Sequence, residues 1–285
     1  MCDIINNDIN INKNNLLFNK EHFVYIENFI NNDIRLKILD DINKKEDLYK
    51  IKNENSIFSI LGQLNTSHNT EKDLIYKKHS VITGTDIQEH FPELHYYYYN
   101  CFADIVSQVV GTKVYPINEK NTTNNALIIY ENEGDSLRWH TDRSMFNGKK
   151  VYSLLVYLHN SSFQKLCYIN YDKNKKCLHT DENSSVILEH FTLEHAVTPL
   201  KNNEKKILWT MTYAEDININ NPISYFIDKI KNFSYLGFEA FNPLDIFFMI
   251  LLIILIFIIF YYFLFYNFAA SCRIFETKRK VKIYK

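Results

Sequence analysis

From residue 113 onward the apolar positions fall in short alternating runs. NALIIYENEG, KVYSLLVYLHN, KLCYINYD, KKCLHTDE, SSVILEHF, EHAVTPL and KKILWTMTYA are rich in Val, Ile, Leu and Tyr, with Asn, Gly, Asp or Lys turns between them. Such runs predict strands. Many short strands at regular spacing predict an antiparallel sandwich or jelly roll over residues 113–216. The front of the chain has a helical period instead. FVYIENFINNDIRLKILDDI (23–42) predicts a short strand and then a helix capped by Asn31 or Asn32, with Ile34, Leu36, Ile38 and Leu39 roughly on one face. FPELHYYYYNCFADIVSQVVG (91–111) predicts one helix, with Pro92 in its first turn and Gly111 at its C-cap. The run Tyr96 to Tyr99 covers a whole helical turn, so it divides between core and surface. Residues 1–22 are expected to form a flexible lead-in, and 45–90 are polar and irregular. The predicted class is mainly β, with residues 23–112 as a helical front to the same domain.

After Asp216 the pattern changes. Residues 217–245 predict a linker, and residues 246–268 a transmembrane helix, because 246–272 carry no charge and are apolar on every face. Residues 269–285 form a basic tail, with six basic residues against one acidic from Arg273 onward. The positive-inside rule places that tail in the cytosol. Against this, the polar N-terminus has no apolar leader, which predicts a C-terminal anchor with the large domain in the cytosol. The two expectations conflict, and the missing leader is given more weight.

Composition narrows the function classes. With 32 Lys and Arg against 33 Asp and Glu, the chain lacks the basic excess of a dedicated nucleic-acid binder. Five cysteines (Cys2, Cys101, Cys167, Cys177, Cys272) show no CxxC spacing and predict a reducing compartment. Cys167 and Cys177 flank a polar turn and can face each other across a hairpin, but two separate thiols are the expectation.

The chemistry lies in a repeated tripeptide. His140-Thr141-Asp142 recurs as His179-Thr180-Asp181. On a strand, positions i and i+2 share a face, so His-x-Asp presents an imidazole beside a carboxylate. Two His and one carboxylate make the facial triad of non-haem Fe(II) sites. His195 is the candidate third ligand. It lies 53 residues after Asp142, room for four strands, but only 14 after Asp181, room for one hairpin. The first copy is therefore the expected site and the second is expected to be accidental.

His-x-Asp, then His-x-Val-x-Pro-Leu from His195, then a basic residue opening a strand, resembles the Fe(II)/2-oxoglutarate-dependent dioxygenases, most closely their prolyl 4-hydroxylase-like branch. YENEGDSLRWHTD also resembles the corresponding run of the DNA-alkylation-repair dioxygenases. The resemblance covers about residues 115–215, and more loosely the front from 23. It implies a double-stranded β-helix (jelly roll), Fe(II) on His140, Asp142 and His195, and 2-oxoglutarate, with ascorbate as an optional accessory. It implies a basic partner for the far carboxylate of 2-oxoglutarate at Lys205 or Lys206; Lys206 is preferred because it directly precedes the apolar ILW. Tyr130 matches a position that hydrogen-bonds the cosubstrate, with a core tyrosine as the alternative. Trp139 and Arg143 flank the ligands and are expected at the substrate pocket. The implied reaction is hydroxylation of a C–H bond, on a protein or peptide first. A nucleic-acid or lipid substrate, a zinc or cupin-like metal protein, and an inactive membrane-anchored binding protein remain as alternatives.

Overall fold

The computed structural model describes residues 2–53, 78–117, 124–142 and 150–217 (without 171 and 191), and the helical positions 247, 250, 251 and 253–263. Contacts divide the chain into two units, Met1–Ala240 and Phe241–Lys285.

The first unit has two antiparallel sheets. The larger runs in the order β1 (Phe23–Ile26), β10 (Ser185–Glu189), β7 (Val151–Asn160), β12 (Lys206–Ala214), β5 (Asn125–Tyr130), β3 (Lys78–Ile82) and β2 (Lys50–Asn53), with β4 (Tyr115–Pro116) also on β12. The smaller runs β6 (Leu137–Thr141), β11 (Glu194–Val197), β8 (Lys165–Ile169) and β9 (Lys175–His179). Alternation sorts the large sheet's side chains into two cores. Leu154, Val156, Leu158, Ile207, Trp209, Met211 and Tyr213 face the helices. Leu155, Tyr157, Val186, Leu188, Tyr130 and Leu208 face the small sheet's Leu166, Tyr168 and Val197. The seven predicted strand runs all contain strands, and two facing antiparallel sheets are the expected jelly-roll class.

The front departs from expectation in three places. Residues 2–22 are ordered: α1 spans Ile11–Glu21, capped by the Asn10 side chain, and buries Phe18. Ile4 is wholly buried, and Asn15 donates to the Val109 carbonyl at 2.9 Å. The Asn-rich sequence offers little local helical preference, so long-range contacts supply the order. The predicted helix 91–111 is two, following α2 (Asn32–Asn43) and α3 (Gly84–His90): α4 (Pro92–Asn100) and α5 (Phe102–Val110). They meet at Cys101, whose φ of −117° leaves the helical range, while Gly111 ends α5 in the left-handed conformation as expected. Within 45–90 lie β2, β3 and α3; α3 begins with a Thr83–Asp86 capping box that the polar pattern concealed.

The cysteine expectation is overturned. Cys2 is bonded to Cys101, and Cys167 to Cys177. Antiparallel pairing of β8 with β9 sets Cys167 directly opposite Cys177, a register that cysteine counting cannot see. The Cys2–Cys101 bridge joins residues 99 apart. In the chain-entropy picture, closing a loop of that size stabilises the fold by about 4–5 kcal/mol.

In the second unit, residues 253–263 are helical, with exposed apolar side chains such as Ile253, Phe257 and Phe263. Among the described residues no helix is long and apolar enough to cross a membrane. The rest of the predicted span, the linker from 218 and the basic tail lie mostly outside the described residues.

Candidate active site

Strand pairing assembles the three predicted ligands. His140 on β6 is the cross-strand partner of His195 on β11, so both rings lie on one face, 4.2 Å apart between centroids. A register shift follows His195 on β11, and Asp142 lies one residue past the end of β6. Asp142 Oδ1 is 3.4 Å from His140 Nε2, and Oδ2 is 3.9 Å from His195 Nε2. One donor atom from each residue falls within 4.8 Å of the other two. The four strands between Asp142 and His195 are β7 to β10, the number their spacing has room for.

Electrostatics suit a cation here. Burial, reinforced by neighbouring His140, pushes the His195 imidazole down to about 4. It is therefore neutral at pH 7, with a lone pair to offer. Burial alone would raise the Asp142 carboxyl, but His195, His140 and His190 around it outweigh that and hold it well below the ordinary carboxylate range.

Lys206 is the first residue of β12 and is wholly buried. Alternation points Ile207 and Trp209 at the helices, so Lys206 and Leu208 point between the sheets. Its ammonium lies 5.4 Å from the ring centres of both Tyr130 and Tyr157. Among the described residues its amine has no hydrogen-bond partner. Burial pushes it down to about 7, with a small opposing pull from Glu204. Lys205 points the other way, 3.6 Å from Glu46 and 3.8 Å from Glu131. Tyr130 is wholly buried and is the register partner of Lys206.

β7 connects the two features. Ser153, Leu155 and Tyr157 alternate on its inner face; Ser153 donates to Asp142 Oδ2 at 3.3 Å, while Tyr157 lies beside Lys206. The triad and the buried amine thus both meet the inner face of β7, between the sheets.

The second His-x-Asp does other work. His179 Nε2 lies 2.7 Å from the Ser162 carbonyl and Nδ1 lies 3.2 Å from Asp181, whose other oxygen accepts from Tyr25 at 2.9 Å. Among the described residues it belongs to no metal-holding group. The expectation for Trp139 is corrected. One residue before His140 on the strand, it turns to the opposite face and packs with Cys167, Ile169 and Ala196. Arg143 lies outside the described residues.

Three residues escaped the sequence reading. Tyr157 beside Lys206 and Ser153 beside Asp142 lie inside an apolar run. His190 Nε2 is 3.6 Å from Asp142 Oδ2 and 2.7 Å from Ser153 Oγ. A signal for His190 existed, since the alternation Val186, Leu188 continues onto it, one step past the end of β10.

No family model and no curated protein matches the sequence. Solved structures match the fold. The non-haem α-ketoglutarate-dependent carbocyclase SnoK of nogalamycin biosynthesis aligns with a TM-score of 0.56 at 8% identity, over 75% of this chain and 87% of its own. An oxidoreductase of the 2OG-Fe(II) oxygenase family from Burkholderia pseudomallei gives 0.54 at 8%, over 74% and 93%. A prolyl hydroxylase from Trichoplax adhaerens, solved with a hypoxia-inducible-factor peptide fragment, gives 0.50 at 15%, over 74% and 96%. The first unit therefore has the fold of the 2OG-Fe(II) oxygenases. At such identities the likeness is one of fold, and the chemistry rests on this chain's own residues.

Proposed function

We propose that this protein is a dioxygenase dependent on Fe(II) and 2-oxoglutarate that hydroxylates a C–H bond, on a protein or peptide. The buried Lys206 amine carries the reading. A cation fully removed from water with no hydrogen bond is costly, and an anion entering the space between the sheets relieves that cost. A triad of two imidazoles and one carboxylate faces the same inner side of β7. A short dicarboxylate, held at one end by a metal and at the other by an ammonium, fits both.

In this reading His140, Asp142 and His195 hold Fe(II) and leave further coordination positions open. Lys206 receives the far carboxylate of 2-oxoglutarate, with Tyr130 beside it, and the apolar lining from Leu155, Tyr157 and Leu208 excludes water. The loaded metal supplies oxidising power, so that R–H, O2 and 2-oxoglutarate give R–OH, succinate and CO2. A peptide substrate is supported by the fold's likeness to the peptide-bound prolyl hydroxylase. The near-neutral charge gives a nucleic-acid substrate no support.

The test is anaerobic titration of the full chain with Fe(II) and 2-oxoglutarate. The expected result is a weak visible metal-to-ligand charge-transfer band from the chelate. Iron binding without that band would sink the oxygenase assignment.

We also propose membrane attachment through residues 246–268, supported by their uncharged sequence and by exposed apolar side chains along 253–263. The two disulfides favour an oxidising compartment for the first unit. The basic tail favours the cytosolic side for itself. Together they point to a domain and tail on opposite sides of the bilayer, in place of the cytosolic domain expected from the N-terminus. Protease treatment of intact membranes should then remove an epitope at the tail and spare the domain; a digested domain would restore the cytosolic placement.

A further inference from the structure

We propose that Ser153 and His190 form a positioning pair that holds the Asp142 carboxylate in its metal-binding orientation. The inference rests on the triad being a metal site.

Asp142 Oδ2 lies 3.3 Å from Ser153 Oγ, and that oxygen lies 2.7 Å from His190 Nε2. As a metal ligand Asp142 is a carboxylate and only accepts hydrogen bonds, so Ser153 must donate to it. A hydroxyl has one proton. Ser153 therefore accepts from His190, and Nε2 of His190 carries the hydrogen. The chain of donation is His190 Nε2–H to Ser153 Oγ–H to Asp142 Oδ2. Oδ2 is thus engaged by the protein, while Oδ1 is turned toward His140 at 3.4 Å.

Both members are fixed from outside the ligand strands. Ser153 is on β7, in the middle of the large sheet, and is 4% exposed. His190 follows β10, is 8% exposed, and its backbone N–H donates to the Val151 carbonyl at 2.8 Å. His140 and His195, by contrast, sit on the small sheet. Asp142 extends past the last paired residue of β6, so the strand ladder does not set its direction. The pair ties it to the opposite sheet. Partners that orient a ligating carboxylate typically control metal affinity by about 10- to 100-fold.

The test uses Co(II) as a spectroscopic probe on the full chain, with no turnover required. Ser153→Ala and His190→Phe should each weaken Co(II) binding by about 10- to 100-fold and alter its visible d–d bands. His190→Gln keeps an N–H donor and should recover most of the affinity. If His190→Phe fails to fold, Ser153→Ala decides alone, because it removes one oxygen. Wild-type affinity and an unchanged spectrum in Ser153→Ala would overturn the pair while leaving the metal site standing. Wild-type protein that binds no Co(II) would overturn the metal site and the pair with it.

Discussion

Replacing Lys206 by Met should raise the KM for 2-oxoglutarate at least roughly thirtyfold, since loss of one partner from a buried charge pair costs about 2–5 kcal/mol. The same substitution should stabilise the cosubstrate-free protein at pH 7. The two effects have opposite signs for one reason. Lys206 is wholly buried with no hydrogen bond to its amine among the described residues, so burial holds its pKa at about 7 against an ordinary 10.5. In the unfolded chain the amine keeps its proton up to the higher value; in the fold it loses it near the lower. Between the two the unfolded state binds more protons, so stability rises with pH across that window. Below it, burial of the ammonium costs the apo protein on the order of 3–5 kcal/mol, which Met does not incur. Thermal or urea unfolding at pH 7 and pH 9, with and without 2-oxoglutarate, measures this. Wild type alone should gain stability between those pH values, and 2-oxoglutarate should flatten the gain by keeping the amine charged. A Lys206→Met protein with unchanged KM would remove the amine from the cosubstrate site.

Single substitutions His140→Ala and Asp142→Ala should abolish both the charge-transfer band and turnover, a larger loss than the about 100-fold that a ligand's supporting partner controls. His179→Ala, in the other copy of the same tripeptide, should leave both within about twofold of wild type. It loses contacts to the Ser162 carbonyl and to Asp181 on an exposed edge strand, so its cost is one of stability, about 1 kcal/mol. Anaerobic spectra and single-turnover assays on the three variants check this. Loss of the band with His179→Ala but not with His140→Ala would reverse the choice of copy.

The contrast between the two copies shows what was legible. Identical letters set an imidazole within 3.4 Å of its carboxylate in one copy and 3.2 Å in the other, and in the sequence only the distance to His195 and the polar turn around the second copy separated them. Spacing works here because each strand crossing consumes a roughly constant length of chain, so 53 residues hold the four strands β7 to β10 that return the chain to the first ligand. Lys206 was legible for a similar reason. Alternation along β12 admits only one of two adjacent lysines to the interior, and the apolar residues after them set the phase. Trp139 was misjudged because neighbours in sequence are opposites on a strand.

What escaped was long-range. Cys167 and Cys177 become partners through the register of β8 on β9, and Cys2 reaches Cys101 across the whole helical front. Nothing in a cysteine's neighbours encodes a contact 99 residues away. The order in residues 2–22 failed to show for the same reason, because Phe18 and Ile4 gain their stability from burial against distant segments.

The sequence by itself determined the strands of the core and the class of sheet, and it singled out His140, Asp142, His195 and Lys206 as candidates, since these follow from period, alternation and chain length. Only the tertiary structure decided that Ser153 and His190 meet Asp142 and that Tyr157 lies beside Lys206. It also decided that the cysteines pair. Those contacts join strands that are far apart in the chain, and their existence depends on sheet order and register, which local preferences do not specify.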